Sequence, residues 1–155
     1  MDAGTDMAHR ESACSATTMR KASRRLTQLF DDALTQSGLR STQFAILAEL
    51  DRRAAAPPTM AELAQALVMD RSALGHNLRP LERDGLIALQ EGTEDRRRRH
   101  VVTTALGRIK FSEAKPLWQR AQDRFNEVFG EAEAVTLRKT LLGIAYNERL
   151  ASLHD

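Results

Sequence analysis

Four consecutive arginines, Arg96 to Arg99, follow Asp95 in a 155-residue chain whose formal net charge is only +2. A guanidinium is always charged, and its planar fork of donors matches phosphate oxygens as well as O6 and N7 of guanine. With so small a global charge, partner preference is set by where the cations lie. Upstream, Ser72, His76, Arg79 and Arg83 fall on one side of a helical pattern, opposite Leu74, Leu78 and Leu81. A polar, mostly cationic helix face followed closely by an arginine run is chemistry for gripping a nucleic acid. Taken alone, the helix face would be an ordinary solvated surface; its combination with the arginine run gives it weight.

The elements that must position these groups can be read from local signals. Thr59 opens a short helix as a capping box, with Glu62 three residues on able to reach back to the Thr59 amide, and Met60, Leu63, Ala64 and Leu67 form its apolar stripe. Asp70 caps the helix bearing Leu74, Leu78 and Leu81, which stops at Asp84 and Gly85. Two helices joined by so short a turn form a helix-turn-helix. Leu86 to Gln90 reads as a strand, Glu91 to Asp95 as a turn around Gly92, and His100 to Thr104 as the returning strand, a wing. Alternation along the chain sends Arg96 and Arg98 to one side and Arg97 and Arg99 to the other, and at least one arginine is expected to pair with Asp95 or Glu94. Gly75 costs the second helix about 1 kcal/mol relative to alanine and either lets a backbone approach closely or marks a local irregularity.

Helices flank this unit. Met19, Ala22, Leu26, Leu29, Phe30 and Ala33 mark a first helix from about Ala16 to Ser37, with Gly38 at the position after its end. Ser41 or Thr42 is the expected cap of a second helix carrying Phe44, Ile46, Leu47 and Leu50. A long helical pattern runs from Ala105 to Phe129, with Pro116 placed to kink it. A last one runs from about Glu131 to Leu150, with Val135, Leu141, Leu142 and Ala145 inward. The expected fold is mainly α with a small β-hairpin: a winged helix-turn-helix plus terminal helices forming an intertwined dimerisation region. The expected division is 1–39 and 105–155 for dimerisation and 40–104 for the winged lobe. A self-contained helical bundle is the alternative, and paired half-sites on DNA favour the dimer.

The 42% hydrophobic content supports a core without disulfides, and the single cysteine, Cys14, asks for no oxidising compartment. No apolar run is long enough to span a bilayer, and the N-terminal MDAGTDMAHRES has no secretory apolar core, so an unexported cytoplasmic protein with no membrane partner is expected. His9, His76, His100 and His154 lack metal-ligand spacing, and no phosphate-cradling glycine loop or nucleophile elbow is present. No catalysis, cofactor or metal is expected.

The segments MRKASRRLTQLFDDAL, LRSTQFAILAEL, MAELAQALVMDRSAL, NLRPLERDGLI and DRRRR, with Gly107 beyond, resemble the MarR family of bacterial winged-helix transcriptional regulators over nearly the whole chain. The resemblance implies a homodimer that binds a pseudo-palindromic double-stranded operator, with repression relieved by a small molecule or an oxidant. It places the recognition-helix positions on Arg71, Ser72, Gly75, His76, Asn77 and Arg79. Its wing pattern places Arg97 in the minor groove with Asp95 bracing the turn. Thr59, Arg83, Arg96 and Arg98 complete the expected DNA-binding set. Larger polar or basic residues are expected where this chain has Gly75 and His76, so base preference does not transfer.

Two sensing schemes follow from the same resemblance. Cys14, just before the first helix, lies near the reactive cysteine of the hydroperoxide sensors, though only Tyr146 is available where those sensors use several tyrosines. Met19, Phe111 and Trp118 would border a ligand pocket, with Arg20, Arg24 or Arg25 facing the carboxylate of an aromatic acid. A winged-helix module that binds protein and leaves DNA alone is the reading from a different class.

Overall fold

The computed structural model describes residues 13–153. The N-terminal residues read above for a secretory signal, together with His9 and His154, lie outside them. Among the described residues, six α-helices and one hairpin follow in the order α1 (Ser15–Leu34), α2 (Ser41–Arg52), α3 (Met60–Ala66), α4 (Arg71–Arg83), β1 (Ile87–Glu91), β2 (Arg99–Thr103), α5 (Ala105–Phe129) and α6 (Glu131–Ala145). Single turns of 3₁₀ helix follow α1 at Thr35–Ser37 and α6 at Glu148–Leu150. Among the described residues, no helix is long and apolar enough to cross a membrane.

Local chemistry sets most of these boundaries. Gly38 takes a left-handed φ of 74° and its amide closes the turn on the Thr35 carbonyl. Neither Ser41 nor Thr42 caps α2. The Arg40 amide is satisfied instead by Gln43 Oε1 at 2.9 Å, and the Ser41 amide by Asp31 Oδ1 at 2.7 Å, so the end of α1 helps to start α2. Asp70 caps α4 by accepting from the Ala73 amide at 2.7 Å. Thr104, expected at the end of a strand, is the cap of α5, and its hydroxyl also donates to the Gly85 carbonyl at 2.6 Å. The α5 helix runs without interruption through Pro116.

The core is built from Leu34, Leu39, Phe44, Ile46, Leu47, Leu50, Leu63, Leu74, Leu78 and Leu81, closed by Leu86, Ile87, Val101 and Phe111. Leu74, Leu78 and Leu81 are all buried, so the apolar stripe read from the sequence is the face by which α4 packs. At the other end of that core, Phe44 stacks on Trp118 and touches Phe111. Beyond it the apolar faces run out of partners. Val135, Leu141, Leu142 and Ala145, expected inward, are exposed, as are Val128 and Phe129, and on α6 only Ala134 is buried. Among the described residues, nothing covers these side chains of α5 and α6.

The hairpin is antiparallel with Ile87 opposite Thr103 and Glu91 opposite Arg99. A third, shorter strand segment joins it. The Val101 amide donates to Pro58 O at 2.9 Å, Thr59 forms a bridge with His100, and His100 Nδ1 lies 3.2 Å from Pro57 O. The segment that starts α3 is thereby bonded to the wing. Gly107 permits close packing at the wing's base, since a Cβ there would overlap the Leu86 carbonyl oxygen and sit 2.7 Å from Thr103 Cγ2.

Candidate nucleic-acid interface

Because Leu74, Leu78 and Leu81 hold one side of α4 in the core, the opposite side must face solvent. Arg71, Ser72, His76, Arg79 and Arg83 are all exposed there. Gly75 is half-buried within a regular helix, and nothing lies within 4 Å of where its Cβ would stand, so the open space comes from the site and not from a strained backbone. Asn77 is turned aside: it is half-buried and its side-chain amide donates to the Ala73 carbonyl at 2.8 Å.

The arginine run is arranged differently from the expected alternation. Arg96 and Arg97 form a tight turn, and of the four only Arg99 belongs to a strand. Asp95 makes that turn. Its carboxylate accepts the Arg97 amide at 3.0 Å, its carbonyl accepts the Arg98 amide at 3.0 Å, and the Arg98 carbonyl takes the Gly92 amide at 2.7 Å. The predicted ion pair to Asp95 or Glu94 does not form. Arg96, Arg97, Arg98 and Arg99 are all exposed, and none makes a salt bridge among the described residues. An arginine charge free of an internal partner is fully available to an external anion.

The wing and the helix-turn-helix meet in a cleft of about 430 Å³ lined by Thr59, Met60, Ala61, Glu62, Arg71, Arg97, Arg98 and Arg99. Arg71 of α4 and three wing arginines thus share one cavity, and the bond between Thr59 and His100 holds its walls together. Sequence reasoning left Arg99 out of the candidate set and included Arg96, which does not line this cleft. The missed signal was Asp95 itself, since an Asp that starts a turn breaks strand alternation. Thr59 sits at the cleft as expected, accepting the Glu62 amide at 3.2 Å, while Glu62 returns to the Thr59 hydroxyl at 3.0 Å and not to its amide.

The residues read as sensors are spread over separate surroundings. Met19 lines an apolar hollow of about 580 Å³ between α1 and α6, bordered by Leu26, Phe30, Leu137 and Leu141. Trp118 lines a second hollow of about 600 Å³, with Phe30, Phe44, Leu67, Val68 and Tyr146. Phe30 and Ser41 belong to both walls. Phe111, expected to border a pocket, is a core residue packed on Phe44, and Arg20, Arg24 and Arg25 are exposed residues that line neither hollow. The cation that does reach the second hollow is Arg52, bound to the buried Glu49. Cys14 is the exposed N-cap residue of α1, and a hydrogen bond with the Thr17 side chain lowers its thiol pKa, aided more weakly by Arg20.

Residues 37–98 match the sequence profile of the MarR family. The transcriptional regulator MosR of M. tuberculosis, solved in complex with DNA, is similar to the chain at 34% identity, with 85% of this chain and 93% of that one covered and a TM-score of 0.76. The transcriptional repressor CouR bound to a 23-mer DNA duplex is 28% identical, covering 85% and 92%, at a TM-score of 0.75. A MarR-family regulator from Rhodococcus sp. RHA1, 21% identical over 87% of this chain and 99% of that one, shares the fold at a TM-score of 0.72. No match was found among curated protein sequences. A winged helix-turn-helix with an exposed cationic face, a profile match across that lobe and 34% identity to a regulator along nearly its full length lead to one conclusion: the chain belongs to the MarR family of transcriptional regulators.

Proposed function

We propose that the chain is a homodimeric repressor that reads a pseudo-palindromic duplex and is released from it by a small ligand. The observation that carries the reading is the cleft in which Arg71, Arg97, Arg98 and Arg99 converge beside the exposed face of α4, every wing arginine without an ion pair among the described residues. Arg71, Ser72, Gly75, His76 and Arg79 enter the major groove, where Arg and Ser can address base edges. Arg97, at the tip of the Asp95 turn, enters the minor groove, where negative potential is concentrated. Arg83 and Arg98 take phosphates.

Residues 40–104 form the DNA-binding lobe, and 1–39 with 105–155 form the dimerisation region. The exposed Val128, Phe129, Val135, Leu141 and Leu142 support a second copy as the cover of α5 and α6. Two copies present two α4 helices, as half-sites about one helical turn apart require. The two apolar hollows that meet at Phe30 and Ser41 support a small, largely apolar effector such as an aromatic acid, with Arg52 as its cationic neighbour.

Selection from random duplex DNA, followed by footprinting of the winner, tests the reading. The expected product is a pseudo-palindrome protected in two adjacent major grooves. Failure to enrich any sequence, with unchanged retention of random DNA after Arg79→Ala and Arg97→Ala, would make the lobe a protein-binding module instead.

A further inference from the structure

Among the described residues, Glu62 is the one carboxylate lining the cationic cleft. A negative charge there opposes any phosphate that enters, and if unrestrained it would pair with the very arginines the phosphate needs. Both of its oxygens are engaged by groups other than the cleft arginines. One oxygen accepts the Thr59 hydroxyl at 3.0 Å, and the other lies 3.8 Å from Arg53 Nη1. Arg53, at the end of α2, does not line the cleft. Its Nε is fixed at 2.8 Å by Glu49, a carboxylate only 7% exposed and also bound by Arg52. The Arg53 fork is therefore anchored on one edge and offers the other to Glu62.

We propose that Glu62 is an affinity-limiting carboxylate of the DNA cleft and that Arg53 is the positioning residue that restrains it. The inference rests on the DNA-binding reading of the cleft. Arg53 acts without touching DNA: it draws the Glu62 charge toward Glu49's side of the lobe and leaves Arg71 and the wing arginines unneutralised. Without Arg53, Glu62 turns to the cleft cations. At a separation of about 6 Å in a water-like medium, one such charge changes phosphate affinity by about threefold per protomer.

The test is fluorescence-anisotropy titration of a selected duplex at fixed salt by full-length parent, Glu62→Gln, Arg53→Ala, Arg53→Lys and the double variant Glu62→Gln with Arg53→Ala. Arg97→Ala serves as the control for the cleft, and thermal melts establish that each variant is folded. Glu62→Gln should tighten binding about threefold or more, Arg53→Ala should weaken it by a similar factor, and Arg53→Lys should restore most of it. In the Glu62→Gln background, Arg53→Ala should have no effect, because nothing remains to restrain. A merely structural role for Arg53 would weaken both backgrounds equally, and that result overturns the proposal, as does a neutral Glu62→Gln. If Arg97→Ala also leaves binding unchanged, the cleft is not where DNA binds and the functional reading falls with the inference; if Arg97→Ala weakens binding while the Glu62 variants behave alike, only the inference falls.

Discussion

Arg97→Ala offers a measurement whose size follows from the geometry. The Arg97 side chain is exposed, forms no salt bridge among the described residues and is not bonded to Asp95, which holds only its backbone amide. Truncation therefore removes a cation without breaking the turn. Each neutralised phosphate contributes about 0.9 to the slope of log affinity against log salt, so a dimer with two engaged wings loses about 1.8. If counter-ion release is all that is lost, binding falls about sixtyfold at about 0.1 M salt and converges with the parent near about 1 M. From about 50 to about 200 mM salt, the variant loses about tenfold less affinity than the parent. Anisotropy titrations of the selected duplex at four salt concentrations give both slopes. Parallel lines for parent and variant would refute the wing assignment, and a change near 0.9 would mean that one wing engages per duplex.

Three other outcomes are expected. Gly107→Ala forces a methyl into the Leu86 carbonyl and Thr103, so thermal denaturation should show a loss of about 1–3 kcal/mol; a melt superimposable on the parent would show that the helix start yields freely. Val135→Glu with Leu142→Glu places charges on the uncovered face of α6 and should convert a dimer to single chains in light scattering while leaving the helical circular dichroism intact; an unchanged mass would move the interface elsewhere. The Cys14 thiol, lowered by Thr17, should reach half its maximal alkylation rate at a lower pH than a free cysteine, and Thr17→Val should move that midpoint upward; a midpoint indifferent to the substitution would remove Thr17 as the cause.

What could be read without coordinates was whatever is decided within one turn of chain. Thr59 and Asp70 announce their helices because each caps the amide three residues on, and Gly38 ends the 3₁₀ turn that extends α1 because its φ of 74° suits glycine. The stripe of Leu74, Leu78 and Leu81 also fixed which side of α4 faces outward. The arginine turn departs from strand alternation because its backbone is set by a side chain, that of Asp95. The edge of the cleft was not legible at all: it depends on Thr59 pairing with His100 and on Pro57 and Pro58 bonding to the wing, contacts between distant residues that leave no periodic trace.

The inward assignment on α6 failed for a different physical reason. Periodicity reports that a helix has an apolar face, and the expectation that Val135, Leu141 and Leu142 are covered was sound as chemistry, since isolated apolar area of this kind is seldom left in water. Among the described residues of one chain they are exposed, and in the proposed dimer a second copy does the covering. One end of α6 is already tied to the helix-turn-helix, where the Tyr146 hydroxyl donates at 2.6 Å to the carbonyl of Ala66, the last residue of α3. A second copy seated on the exposed face of α6 would therefore push on a helix bonded to the helix-turn-helix, and the hollow lined by Tyr146, Leu67 and Val68 lies at that joint. In the proposed dimer, an effector bound there would have a mechanical route to the distance between two α4 helices that does not pass through the cleft, so its action and that proposed for Glu62 should be separable: the first would change the spacing of half-sites tolerated, the second only the affinity at each.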